Sequence, residues 1–184
     1  AYAVDLGLGD EKTYANMVSY YQKIGHYDTG IFATDILTRT LFEHGDGELA
    51  VELLTQNGRQ GFEHWRQNGA TTFHEYWDSN RSRSHNHPMF GAVVAYLFEY
   101  LLGIGQKQGT AGYRSLMIRP RAMSKFNTMS GSMQTPQGTV SVRYEKTDSG
   151  VNFKIVIPPK TEAVLCYKDQ QYALTEGENA LMGL

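Results

Sequence analysis

The chain has 184 residues, enough for one ordinary domain or two small ones with a buried core that needs no disulfide or metal. Seventeen Lys and Arg against 19 Asp and Glu give a formal net charge of -2. That balance offers no electrostatic footprint for nucleic acid or an anionic membrane surface, so neither is an expected partner.

The start, Ala1-Tyr2-Ala3-Val4-Asp5, lacks the basic flank and apolar run of a signal peptide, and no stretch reaches the about 20 apolar residues that span a bilayer. Localisation is therefore open. Ala1 to Leu8 reads as helix without an initiating methionine, which is expected of a piece of a longer protein. Tyr14, Met17, Val18 and Tyr21 fall at i, i+3, i+4 and i+7, predicting a helix over about 12–23 that stops at Gly25. A second helix is expected from Ile31 to His44. Asp46 can cap a third, carrying Leu49, Ala50, Leu53 and Leu54 before Gly58. Pro88 suits a first helical position, and Met89 to Leu102 is apolar nearly all round, predicting one helix to Gly103 that is buried on most sides.

Beyond about Ala111 the apolar period becomes two. Val140, Val142 and Tyr144, the turn Asp148-Ser149-Gly150, and then Val151, Phe153, Ile155 and Ile157 predict a hairpin. Further strands are expected at 116–118, 127–134, 163–167 and 171–174, with Pro158-Pro159 breaking one run. Cys166, the only cysteine, excludes an intramolecular disulfide and reads as a small buried hydrophobe. Helices followed by short strands imply two domains, with the boundary drawn at 108/109: a helical 1–108 and a small antiparallel β-sandwich over 109–184.

Between the helical pairs, Gln67 to Asp78 and Ser84 to Pro88 gather carboxylates, histidines and aromatics without hydrophobic periodicity, which is where loops concentrate function. A carboxylate among aromatics is partly desolvated and can exchange protons near neutral pH, while an aromatic face packs on the apolar side of a sugar ring. Glu75, Tyr76, Trp77 and Asp78 supply both. On spacing alone, Glu75 and Asp78 read equally well as ordinary loop acids. His85 and His87, two apart, could reach one Zn²⁺ from an extended loop, but further ligands at recognisable spacing are missing, so no metal is expected. No Gly-x-Ser-x-Gly elbow and no phosphate-cradling glycine loop occurs, and no cofactor is implied.

The stretches Gly25-His26-Tyr27-Asp28-Thr29-Gly30, Asn68-Gly69-Ala70-Thr71-Thr72, Glu75-x-Trp77-Asp78 and Ser84-His85-Asn86-His87-Pro88-Met89-Phe90-Gly91-Ala92-Val93 hold their order and spacing over most of the chain. Together with Gly112-Tyr113 and Ile118-x-Pro120, they resemble the inverting α-L-rhamnosidases of glycoside hydrolase family 78. The resemblance implies the C-terminal part of an (α/α)6 toroid followed by a β-sandwich, acting on rhamnose-containing glycosides or polysaccharides. It aligns Glu75 with the general base, His87 with a residue that binds the sugar at the cleavage subsite, and Trp77 with the aromatic wall. Asp28 borders the same pocket or serves as a loop-end cap, while His26 and His85 read as structural. The sequence departs from the family at His74, where an aromatic, often Trp, precedes the base.

The family's general acid belongs to an upstream motif with no counterpart in these residues, and about four helices cannot close a toroid of about twelve. The missing N-terminal part of the same protein is thus the expected partner, and the isolated chain is expected not to hydrolyse rhamnosides. The alternative is a non-catalytic carbohydrate-binding or structural module, in which the aromatic loop holds sugar without cutting it.

Overall fold

The computed structural model describes residues 1–184, which form two compact units, Ala1–Ala95 and Tyr96–Leu184. The first holds α1 (Tyr2–Asp5), α2 (Glu11–Ile24), α3 (Ile31–Glu43), α4 (Gly47–Thr55) and α5 (Phe62–Gln67). α2 begins where the Asp10 carboxylate accepts the Thr13 N–H at 2.8 Å. It ends at Gly25, whose left-handed backbone (φ 68°) sends its N–H to the Tyr21 carbonyl at 2.9 Å. Met17 and Tyr21 are buried, as the period requires, with Tyr14 and Val18 at the margin.

Asp46 stands at the N-cap of α4, but its side chain makes no capping bond. Its carboxylate instead accepts the hydroxyl of Tyr14, whose ring stacks on His44 at 4.6 Å. The buried face of α3 is unusually polar. Thr34, Thr38 and Thr40 lie inside, and Thr38 and Thr40 return their hydroxyls to carbonyls one turn back at 2.7 Å. Thr38 also meets the buried Tyr27 hydroxyl at 2.8 Å.

The segment expected to be one helix from Pro88 to Gly103 is instead three pieces: a 3₁₀ stretch Pro88–Ala92, one α turn, α6 (Val93–Tyr96), and a π stretch Leu97–Leu101. Pro88 removes a backbone donor at the start, and at the far end the Leu102 N–H reaches the Leu97 carbonyl, five residues back, at 3.0 Å. Burial is also one-sided, because Val94, Ala95 and Glu99 are exposed while Phe90, Val93, Tyr96, Leu101 and Leu102 are inside. The predicted helix over Ala1 to Leu8 shrinks to the single turn of α1. No helix is long and apolar enough to cross a membrane.

The second unit is a sandwich of two four-stranded sheets, in the order β1-β2-β6-β7 and β3-β4-β5-β8. The strands are β1 (Ile104–Gln106), β2 (Ser115–Ile118), β3 (Thr128–Thr135), β4 (Gly138–Thr147), β5 (Gly150–Ile157), β6 (Glu162–Tyr167), β7 (Gln170–Leu174) and β8 (Gly177–Leu181). All ladders are antiparallel except β2 with β6, which pair in parallel with Leu116 opposite Ala163. β1 lies before the 108/109 boundary and already pairs with β2, Ile104 opposite Ile118.

Alternation makes the core. Val140, Val142 and Tyr144 on β4 and Phe153, Ile155 and Ile157 on β5 are all buried, joined by Leu116, Ile118 and Leu165 from the other sheet. Fully burying each such side chain contributes roughly 1.5–3 kcal/mol, so the sandwich has its own stabilising core. Cys166 follows the buried Leu165 and is only half-buried, because the strand's alternation turns it away from that core.

Candidate functional site

Glu75 sits on a loop that is clamped from both sides. The Phe73 carbonyl accepts the His87 N–H at 2.8 Å, the Glu75 N–H donates to the Ser84 carbonyl at 3.0 Å, and the Thr72 hydroxyl donates to the carbonyl of His85. Residues 72–75 and 84–87 are thus held as a short irregular ladder, with 76–83 as its cap. The cap is braced from within, since the Ser82 hydroxyl oxygen accepts the Tyr76 N–H at 2.9 Å and donates to the Tyr76 carbonyl at 3.1 Å. The Glu75 side chain is half-buried and its carboxylate is free of intrachain hydrogen bonds and ion pairs.

His87 is half-buried, and its Nδ1 is shielded from solvent without a hydrogen-bond partner, a costly arrangement unless a ligand hydroxyl or another polar group completes it. The following proline keeps the His87 backbone extended, φ -115° and ψ 109°. Trp77, 8% exposed, is a member of an aromatic cluster instead of an open platform. Its ring stacks with Tyr27 at 5.7 Å and with Trp65 at 4.9 Å, and lies 4.2 Å from Phe90. Its Nε1–H donates to the Thr29 carbonyl at 2.7 Å, and its own carbonyl accepts the Trp65 Nε1–H at 3.0 Å.

Phe62 and Trp65, on α5, had no part in the sequence reading, yet they form the base on which the Glu75 loop rests; their i, i+3 spacing after Gly61 was the available signal. Replacing Trp77 with Phe removes the donor to Thr29 and part of the ring. The expected cost is about 2 kcal/mol, from one weakened buried carbonyl and a small cavity. Urea unfolding of the variant measures it.

Asp28 is exposed, and its carboxylate is engaged by two hydroxyls, Tyr20 on Oδ2 and Tyr21 on Oδ1, both at 2.7 Å. Burial alone would raise its pKa, but the two tyrosine hydroxyls, its own backbone N–H and the nearby His26 together hold the carboxyl below its ordinary value.

His74, beside the candidate base, is buried between Trp65 at 5.4 Å and His85, which stacks on it at 4.2 Å with the rings 17° apart. Ser79 ties the pair together: its hydroxyl lies 2.9 Å from His74 Nδ1, and its carbonyl accepts from His85 Nε2 at 3.1 Å. Desolvation first, and the charge of His85 second, hold the His74 pKa below its ordinary 6.5. The folded loop therefore binds fewer protons than the unfolded chain just below pH 6.5. Stability from this residue is complete above that value and declines as the pH falls toward the folded-state pKa. Thermal unfolding should drop between about pH 7.5 and about pH 5.5, and drop less in His74→Trp, where the titrating ring is gone.

Beside this loop lies a cleft of about 1150 Å³ bounded by residues 56–60 and 76–81. Of the four residues singled out in the sequence, Trp77 lines it; Glu75, His87 and Asp28 do not. No group of three or more His, Cys, Asp or Glu side chains converges anywhere in the chain as a metal site would.

Residues 5–101 match the family model of the bacterial alpha-L-rhamnosidase 6 hairpin glycosidase domain, and 103–181 match that of the bacterial alpha-L-rhamnosidase C-terminal domain. The chain belongs to the bacterial α-L-rhamnosidase family. Similar curated rhamnosidases come from Alteromonas sp. (strain LOR), 30% identical over 142 residues, and Formosa agariphila, 29% identical over 147. Those alignments cover 72% and 75% of this chain but only 15% and 16% of the relatives, so the chain spans about a sixth of their length.

Among solved structures, the α-L-rhamnosidase of Streptomyces avermitilis complexed with L-rhamnose matches with a TM-score of 0.78 at 26% identity, over 89% of this chain and 17% of that one. The enzyme from Dictyoglumus thermophilum matches with a TM-score of 0.79 at 21% identity, over 97% of this chain and 24% of that one. In fold, then, the chain is part of an (α/α)6 toroid followed by a β-sandwich.

Proposed function

We propose that this chain is the base-bearing part of an inverting α-L-rhamnosidase, with Glu75 as the general base. Residues up to about 101 form the C-terminal part of the catalytic toroid and those from about 103, β1 included, the C-terminal sandwich. In an inverting hydrolysis, one carboxylic acid protonates the glycosidic oxygen while a carboxylate on the opposite ring face takes a proton from water, the two standing about 6.5 to 9.5 Å apart so that the water fits between. Water oxygen bonds to the anomeric carbon, the bond to the leaving oxygen breaks, and the products are L-rhamnose of inverted configuration and the free aglycone. The substrates are glycosides or polysaccharides with terminal α-linked L-rhamnose.

The observation that carries this reading is the clamped loop. It fixes the backbone of Glu75, whose carboxylate is half-buried and free of ion pairs, on the same short ladder that carries His87, with its unpartnered Nδ1, and the aromatic cluster lies beneath that loop. His87 Nδ1 receives a sugar hydroxyl, Trp77 supplies the wall through its cluster, and Asp28 borders the pocket with its tyrosine clamp. The general acid comes from outside these residues, so the isolated chain does not turn over rhamnosides. Glu75→Gln in the whole protein tests the assignment, and turnover kept near the wild-type rate would overturn it.

A further inference from the structure

We infer that the stacked pair His74–His85 is an acid-released latch on the loop that carries Glu75: it holds the two ends of the cap together while at most one ring is charged, and lets go when both are. Its effect on turnover rests on the catalytic reading of Glu75. The latch itself rests on the geometry of the two rings.

The backbone ties this loop sparsely. Two backbone hydrogen bonds cross between 72–75 and 84–87, from Glu75 to Ser84 and from His87 to Phe73, and the Thr72 hydroxyl adds one to the His85 carbonyl. The rings of His74 and His85 meet across the same short ladder at 4.2 Å, so the stack is its side-chain rung. Trp65 backs the buried His74 at 5.4 Å, while His85 is exposed. Ser79, in the cap, reaches both rings, its hydroxyl 2.9 Å from His74 Nδ1 and its carbonyl 3.1 Å from His85 Nε2.

Ser79 also sets which protonation states the stack tolerates. Its carbonyl can only accept, so His85 Nε2 carries a proton while that bond stands. Its hydroxyl can donate to His74 Nδ1 or accept from it, so a single charged ring keeps both bonds. Two charged rings place like charges 4.2 Å apart beside an aromatic cluster, and no carboxylate bonds either one. The ionisable groups on the packed elements are Glu63, His64 and Arg66 on α5, and Glu75, Asp78, Arg81, Arg83 and His87 on the loop. Glu63 and Arg66 pair with each other, and the charge that acts on His74 is that of His85. Desolvation and that charge hold the His74 pKa below 6.5, so the doubly charged state belongs below that pH. The loop is therefore closed near neutrality and opens on the acid side.

The test uses the whole protein as wild type, His74→Trp and His85→Gln; the glutamine replaces an exposed ring, keeps an amide donor for the Ser79 carbonyl and cannot take a charge. Hydrogen exchange of the 73–87 amides, corrected for intrinsic rates, reads the latch. Wild-type protection should fall about tenfold between about pH 7 and about pH 5.5, and each variant should stay within about twofold. Ser79→Ala should loosen the loop at both pH values. Over the same range, the wild-type kcat/KM for p-nitrophenyl α-L-rhamnoside should lose at least about threefold more than that of either variant. An acid opening equal in wild type and both variants, or absent from all three, would overturn the latch. Opening confined to the wild type, with kcat/KM profiles identical throughout, would uphold the latch and remove Glu75 as the base.

Discussion

Glu75→Gln in the whole protein is expected to lower kcat for rhamnoside hydrolysis by about a thousandfold, which corresponds to about 4 kcal/mol of transition-state stabilisation. The amide keeps the volume and the hydrogen-bonding reach of the carboxylate but cannot accept a proton from water. The backbone clamp through Ser84, Phe73 and His87 does not involve the Glu75 side chain, so the loop should keep its shape. A loss in kcat with KM held is therefore the expected signature. Azide, a nucleophile that needs no deprotonation, should restore part of the rate and deliver a β-rhamnosyl azide, the product of attack on the face opposite the α-linked leaving group. An α-configured azide, or full activity without azide, would place the base elsewhere.

Much of the helical unit was legible because α2, α3 and α4 carry local signals: Asp10 and Gly25 bracket α2, and the buried positions of α4 recur at helical spacing. α5 was not, since six residues are too few to display a period, although Phe62 and Trp65 are central to the aromatic cluster under the site. The segment after Pro88 misled for a different reason. An apolar run says that a segment can be buried; it does not say which hydrogen-bond spacing the backbone will adopt, and here 3₁₀, α and π follow one another.

In the sandwich, alternation located β4 and β5 well. The parallel pairing of β2 with β6 joins residues 47 apart, Ser115 with Glu162, and no local pattern announces it. The site divides the same way. Residue types marked the 68–88 loop, and family resemblance alone raised Glu75 above an ordinary loop acid. The stack of His74 on His85 and the two-walled cleft arise from tertiary folding of segments that, read separately, are merely polar.

Gly103→Ala should cost at least about 4 kcal/mol, a large share of the about 5–15 kcal/mol that holds a typical domain together. Gly103 has φ 70°, which alone costs an alanine about 1–2 kcal/mol. The heavier penalty is steric. A Cβ there would lie 2.0 Å from the Arg119 carbonyl carbon and 2.3 Å from both the Arg119 oxygen and the Pro120 nitrogen, all backbone atoms that no rotamer change can remove. Relief requires the two strands to part, which breaks the 2.8 Å bond from the Arg119 N–H to the Gly103 carbonyl and pulls Ile104 from its buried partner Ile118.

Each lost hydrogen bond costs about 1 kcal/mol, and loosened core packing adds about 2 kcal/mol or more. Gly109→Ala is the matched control. Its φ is 80° with nothing within 4 Å of the new Cβ, so it should show only the conformational penalty. Hydrogen exchange at the β1 and β2 amides reads both variants: protection should collapse in Gly103→Ala and shift slightly in Gly109→Ala. Equal small shifts would mean that the 119–120 backbone yields readily, and that the tight crossing at Gly103 is not what sets the start of the sandwich.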